Sequence, residues 1–171
     1  SLHHTAMNED MEVVRHGSNT KNRVVKEQYM GDTSRGPRPD VVVSTMSAAA
    51  TLDTKFDVAV VDEATQASQP SSLIPLTMAK KTILAGDHKQ LPPYSSSENS
   101  ESEEMHESLF EYLMDIYDNN VSVRLNRQYR MNDEIARFPN EEFYDGSLTT
   151  DSSCQDNCVG DLSPMAAFHV E

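Results

Sequence analysis

Positive charge is scarce in this chain: 14 Lys and Arg stand against 28 Asp and Glu, a net of −14 over 171 residues. Nucleic-acid binders ordinarily present a basic face, so bulk electrostatics argue against tight phosphate binding by these residues alone. Cysteine is scarcer still. Cys154 and Cys158 are too few and too isolated for a disulfide framework, and no further Cys or His stands at zinc spacing, so free thiols are expected. No apolar run approaches the ~18 residues of a membrane span and no signal-peptide pattern is present, so a soluble, intracellular protein is expected, cytoplasmic or, in a eukaryote, nuclear. None of Gly17, Gly31, Gly36, Gly86, Gly146 and Gly160 is followed by Lys. That excludes from these residues the Gly-Lys-Ser/Thr loop that cradles phosphates. A hydrophobic fraction of 37% with mean hydropathy −0.60 is lean for a compact domain, without reaching the disordered range.

What is present is concentrated in two blocks. The apolar run Val58-Ala59-Val60-Val61 leads directly into Asp62-Glu63-Ala64-Thr65-Gln66. A β-branched run that ends in two acids has the pattern of a buried parallel strand delivering carboxylates to a ligand crevice at its carboxyl end. One acid can hold Mg²⁺ through its water shell and the next can polarise an attacking water, the tasks that phosphoryl transfer leaves to a protein besides positioning. Acids also finish strands as solvated turn residues, so the pair alone does not decide. The second block repeats the arrangement: Thr82-Ile83-Leu84-Ala85 runs into Gly86-Asp87-His88-Lys89-Gln90-Leu91-Pro92-Pro93. Gly86 permits a tight exit from the strand, Gln90 offers a neutral amide for a phosphate or a water, and the two prolines stiffen the chain beyond them. A strand leading into a Pro-bounded loop is the plainer reading.

Elsewhere the pattern is coarser. Residues 1–40 are mixed and polar, with short apolar pairs at Val13-Val14 and Val24-Val25 and a turn signal at Gly36-Pro37-Arg38-Pro39. Val41-Val42-Val43-Ser44-Thr45 reads as a strand ending in hydroxyls, which either cap the helix suggested by Met46 to Ala50 or face a ligand. A crossover helix is expected between Ala67 and Ala79, with Pro70 suited to its first turn. Ser95 to Glu107 is too polar to bury and reads as a surface loop. Leu109, Phe110, Leu113, Ile116 and Tyr117 fall at helical spacing, and Val121 to Leu125 is expected to form the next strand. Asn132 is suited to cap a helix running to Phe138, and a further strand is suggested near Ala166 to Val170.

The blocks VVDEATQ, ILAGDHKQLPP and LNRQYRMNDEIARFPNEEFYDGSL, together covering roughly residues 41–148, resemble motifs II, III and IV of superfamily 1 helicases, in the branch of the RNA-surveillance helicases and senataxin. The resemblance implies an ATP- and Mg²⁺-dependent motor on single-stranded DNA or RNA. Asp62 would hold Mg²⁺ through water, Glu63 would act as general base and Gln90 would sense the phosphate. Gln66, Gly86, Asp87 and Tyr129 would contact nucleotide, Tyr129 by stacking on the base. Arg130 would reach the γ-phosphate from a second lobe, and Ser44 and Thr45 would touch the nucleic-acid backbone. A core Tyr and a surface ion-paired Arg are the structural alternative for Tyr129 and Arg130. One departure is Asn132-Asp133, where the family usually has His-Pro after the Met.

The expected fold class is α/β: part of one RecA-like parallel sheet and the opening of a second. Residues 1–40 are expected to be an upstream segment or insertion of the first lobe, 41–125 the rest of that lobe, and 126–171 the start of the next. The missing phosphate loop implies the central fragment of a helicase or translocase, inactive when isolated. The competing expectations are a remnant that has lost catalysis and serves as an interaction module, or an ATPase switch that does not unwind. Either nucleic-acid contacts lie mostly outside these residues, or the acid excess is an adaptation to high salt; the scarcity of Lys and the scatter of the acids favour the latter. Oligomeric state has no signature in the sequence.

Overall fold

The computed structural model describes residues 11–17, 38–90, 107–117, 120–155 and 157. The chain divides into two compact units, Ser1–Ile116 and Tyr117–Glu171. Every strand pair among the described residues is parallel, and helices stand between successive strands from Val41–Ser44 onward, so the fold is α/β as expected. The expectations for Val24-Val25, Pro92-Pro93, residues 95–106 of the polar loop, Cys158 and Ala166 to Val170 lie outside the described residues.

In the first unit, β1 (Val13–His16) pairs with β2 (Val41–Ser44), with Val13 opposite Val41 and His16 opposite Ser44. A one-turn helix, α1 (Met46–Ala49), follows β2. The strand β3 (Phe56–Val61) is joined by α2 (Gln69–Met78) to β4 (Ala79–Leu84) in a β-α-β unit, with Val61 opposite Leu84. β-branched residues suit the pleat of β3, and their side chains alternate: Val61 is buried whereas Val60 is 66% exposed. Pro70 sits in the first turn of α2, where its missing N–H costs nothing. The helix packs on β3, β4 and α1, burying Ser72 and Met78. Next, α3 (Leu109–Tyr117) opens with a reciprocal cap. Ser108 Oγ accepts the Glu111 N–H at 3.2 Å while Glu111 Oε2 accepts the Ser108 N–H at 3.1 Å and its hydroxyl at 2.8 Å. A bridge between Ser68 and Ser108 ties the start of α3 to the start of α2.

The second unit corrects two expectations. Val121 to Leu125 is not a strand: residues 121–126 are irregular, and Val123 and Leu125 are 89% and 85% exposed. β-propensity reflects a fit to a pleated, half-buried surface, and no described strand pairs with this segment. Pairing begins two residues later, between β5 (Arg127–Gln128) and β6 (Thr149–Thr150). Between them α4 (Asp133–Phe143) is capped by Asn132, whose side chain accepts the Glu134 N–H at 2.9 Å. The helix runs through Pro139 rather than stopping at Phe138. Asn140 accounts for the extension: its amide donates to Leu148 O at 2.9 Å and accepts Leu148 N–H at 2.8 Å, so the last turn is pinned to the lead-in of β6. Phe138 and Phe143 meet edge to face at 6.5 Å between ring centres. Cys154 is buried as a free thiol after Asp151, whose carboxylate caps the Ser152–Cys154 turn. The Ser153 N–H and then its hydroxyl hold the Asp151 carboxyl below the ordinary carboxylate range. Among the described residues no helix is long and apolar enough to cross a membrane.

Candidate active site

The two motif-bearing loops of the first unit leave adjacent parallel strands at their carboxyl ends, and the ladder does not stop where the strands do. Ala85 N–H donates to Val61 O and Ala64 N–H donates to Ala85 O, both at 2.8 Å. The loop carrying Asp62 and Glu63 is thereby stitched to the loop carrying Gly86, Asp87 and Gln90. Ala64 and Thr65 are buried beneath this seam, while Asp62, Glu63 and Gln66 are exposed above it.

Glu63 occupies the left-handed region, φ 52° and ψ 39°. For a residue with a side chain that conformation costs on the order of 1–2 kcal/mol, and it persists only where the surroundings over-determine it. Here the flanking bonds of Val61 and Ala64 to Ala85 fix both sides of the turn, and Gln66 N–H returns to Glu63 O at 3.0 Å. Asp62 Oδ1 accepts the Glu63 N–H at 3.0 Å, and Gln66 Nε2 donates to Glu63 Oε2 at 3.2 Å. Gln66 therefore meets the second acid directly. Among the described residues no three Asp, Glu, His or Cys side chains converge as a closed metal cage. A magnesium ion held mostly by water and phosphate needs only one or two carboxylates, so the exposed Asp62 suits that mode.

Gly86 is required for proximity rather than for an unusual backbone angle. Its φ is not in the left-handed region, but a Cβ there would lie 3.0 Å from Thr65 Cγ2 and 3.1 Å from Thr65 N. The tight exit expected from glycine's conformational freedom is in fact a close approach of two loops. Beyond it Asp87 organises its own turn, accepting Lys89 N–H at Oδ1 and the Gln90 amide at Oδ2, each at 3.0 Å. The Gln90 side chain is thus folded back on Asp87.

In the second unit Tyr129 is 64% exposed, and the Arg130 guanidinium has no hydrogen-bond or ion-pair partner among the described residues. A buried Tyr and an ion-paired Arg are not what this turn holds. Gln128, which sequence reasoning did not single out, makes the turn. Its Oε1 accepts the N–H groups of Arg130 and Met131 at 2.9 and 2.8 Å, and its Nε2 donates to Met131 O and Thr150 Oγ1, both at 2.7 Å. The signal available in the sequence was only an amide directly before an aromatic and an arginine. At the end of β2, Thr45 Oγ1 accepts Ala48 N–H at 3.3 Å as the cap of α1, and Ser44 Oγ donates to Thr45 O at 2.7 Å. The capping role is therefore real.

Comparison with known proteins places the chain in a family. Residues 5–98 match a family model described as an AAA domain, and residues 105–168 match a second model of the same description. An uncharacterized ATP-dependent helicase of Methanocaldococcus jannaschii is 47% identical over 126 residues, 72% of this chain and 18% of that protein. The ATP-dependent helicase NAM7 of Saccharomyces cerevisiae is 44% identical over 114 residues, 65% of this chain and 12% of its own length. DNA-binding protein SMUBP-2 of Rattus norvegicus is 40% identical over 134 residues, 74% of this chain and 14% of the relative. The chain thus spans less than a fifth of the length of these relatives. The parallel α/β units are RecA-like, and the chain belongs to the AAA-domain family, in the senataxin-like, RNA-surveillance branch of the superfamily 1 helicases.

Proposed function

We propose that this chain is the central part of an ATP-dependent helicase or translocase that couples ATP hydrolysis to movement along single-stranded DNA or RNA. The observation that carries the reading is the seam of backbone bonds, Ala85 to Val61 and Ala64 to Ala85, which sets an acid pair and a Gly-Asp-x-x-Gln turn side by side at the carboxyl ends of two parallel strands. In this reading Asp62 holds Mg²⁺ through water and Glu63 accepts the proton of the attacking water. Gln66 and Asp87 orient Glu63 and Gln90, and Gly86 lets the two loops approach. Gln90 exchanges its bond to Asp87 for the phosphate. Bound magnesium supplies charge neutralisation at the phosphates. Tyr129 offers an exposed aromatic face that tolerates a base, and Arg130 offers a guanidinium for the charge that builds on the phosphoryl group. Ser44 and Thr45 offer their hydroxyls to a nucleic-acid backbone, Thr45 while capping α1. The acid excess is read as an adaptation to high salt, and the setting as intracellular.

The test is Glu63→Gln in a protein that carries these residues together with a phosphate-binding loop. Nucleotide binding should persist while nucleic-acid-stimulated hydrolysis is lost. Unchanged hydrolysis would remove the base assignment at Glu63, and no hydrolysis in the unmutated protein would reject the motor and favour an interaction module. Hydrolysis without strand displacement in the unmutated protein would favour an ATPase switch.

A further inference from the structure

We propose that Gln128 is a positioning residue for Tyr129 and Arg130, holding their turn by its side chain in place of a backbone turn bond; the proposal rests on Tyr129 and Arg130 being the residues that meet nucleotide. A carboxamide has two N–H donors and two carbonyl lone pairs, and all four are used here. Backbone N–H groups only donate, so the pair from Arg130 and Met131 fixes which end of the amide is oxygen. The nitrogen must then face Met131 O and Thr150 Oγ1, which is what the distances of 2.7 Å record. The chain from 128 to 131 is wrapped around the amide head, and the head is moored to β6 through Thr150, the ladder partner of Gln128.

Tyr129 and Arg130 lie between the moored residue and Met131, with exposed side chains and no side-chain partners among the described residues to orient them. Their direction of exit from the turn is therefore set by Gln128. The other end of the turn is closed in the same manner. Asn132 is buried, its oxygen accepts Glu134 N–H and its nitrogen donates to Gln155 O. Gln128 itself reaches only protein groups, so its influence on a bound nucleotide passes through its neighbours.

The experiment uses the full-length helicase that carries this chain and measures steady-state ATP hydrolysis with single-stranded nucleic acid present. Gln128→Glu preserves shape and both acceptor contacts but removes both donors and sets a carboxylate against Met131 O. Gln128→Met removes all four contacts, and Thr150→Val cuts only the mooring. Both Gln128 variants are expected to lower kcat about 10- to 100-fold and to raise the KM for ATP, because a displacement of ~1 Å at a positioned group has that scale of effect. Thr150→Val should fall between them and the unmutated protein. A purely structural role would reduce the active fraction by one factor in every background and leave KM unmoved. Positioning instead requires non-additivity: in an Arg130→Ala background Gln128→Glu should leave kcat within about twofold, and in a Tyr129→Ala background it should leave KM within about twofold. The same factor in all three backgrounds, or kcat and KM unchanged in both Gln128 variants, overturns the proposal. If Arg130→Ala and Tyr129→Ala themselves alter neither parameter, the reading of the site falls and the positioning role falls with it. If they behave as expected while Gln128 does not couple to them, the positioning role alone is wrong.

Discussion

The acid-bearing turn of the first unit and the Tyr-Arg turn of the second are held by different means. Around Asp62 and Glu63 the restraint is backbone: two 2.8 Å bonds to Ala85, buried Ala64 and Thr65, and a glycine at the point of closest approach. Around Tyr129 and Arg130 it is side chain: the amides of Gln128 and Asn132 accept or donate at every corner of the turn. A backbone-held turn tolerates exchange of its exposed side chains without loosening, so substitution there reports on chemistry. A turn held by amides transmits substitutions at neighbouring positions, so chemistry and geometry are harder to separate.

The largest expected effect that probes this difference is at Arg130. Arg130→Ala in the full-length protein should lower nucleic-acid-stimulated turnover by roughly 10³- to 10⁵-fold, the scale of arginine fingers. Lys should not restore it, because a point charge lacks the planar fork. Since the guanidinium has no partner among the described residues, thermal stability should change little. A melting temperature lowered by many degrees, with turnover per folded molecule unchanged, would make Arg130 structural. Next in size is Glu63→Gln, expected to cost on the order of 10²- to 10⁴-fold in kcat as loss of a general base. Asp62→Asn should differ by also weakening the dependence on Mg²⁺. A rate within about twofold after Glu63→Gln would remove the base assignment.

The same contrast explains what could be read from the sequence. The β3-turn and β4-turn blocks were legible because period, β-branching and punctuation act locally: Val58 to Val61, Pro70 and the stripe from Leu109 to Tyr117 all fall in the elements assigned to them. The Ser-x-x-Glu cap at Ser108 and Glu111 is equally local, a helix-start signature that the apolar stripe overshadows. Val121 to Leu125 misled, since β-branched residues specify a strand only when a neighbour supplies the ladder. Pro139 misled in the opposite direction, because the bonds from Asn140 to Leu148 carry the helix past a residue that ordinarily ends it. The strained angle at Glu63 and the mooring of Gln128 come from contacts with Ala85 and Thr150, some twenty residues distant in sequence, and no local pattern announces them.

Stability changes are smaller and separate two kinds of glycine. Gly86→Ala should destabilise the first unit by about 1–3 kcal/mol, as overpacking does, because its Cβ would meet Thr65 at 3.0 Å. Adding Thr65→Ser removes the Cγ2 contact and should return part of that loss, leaving the 3.1 Å approach to the Thr65 nitrogen. Gly146 has the opposite requirement: its φ is +66° and no atom lies within 4 Å of a Cβ placed there. Gly146→Ala should cost roughly 1–2 kcal/mol through backbone strain alone, and no neighbouring truncation should relieve it. Chemical denaturation of these variants distinguishes the cases. Equal rescue of both glycines, or of neither, would mean that the close approach of the two loops is not what Gly86 serves.

The smallest expected effects isolate strain from function. Only Glu63 and Asp145 among described non-glycine residues have positive φ, at 52° and 54°. Replacing either by Gly removes the Cβ penalty of the left-handed region, set against the greater entropy that glycine loses on folding, roughly 0.5–1 kcal/mol. Comparison with Ala at the same position cancels part of the side-chain loss, so Glu63→Gly should be more stable than Glu63→Ala by about 1 kcal/mol. The same Gly-over-Ala difference is expected at Asp145, whereas Asp145→Gly should differ from the unmutated protein by only a few tenths of a kcal/mol, because short polar residues tolerate this conformation better. Activity separates the two sites where stability does not. Asp145→Gly should retain hydrolysis, whereas Glu63→Gly should lose it as fully as Glu63→Gln, even with a sounder fold. Strain at Glu63 is then retained for the direction it gives a carboxylate, and strain at Asp145 only turns the chain. Hydrolysis surviving in Glu63→Gly would show that the left-handed turn serves the backbone alone.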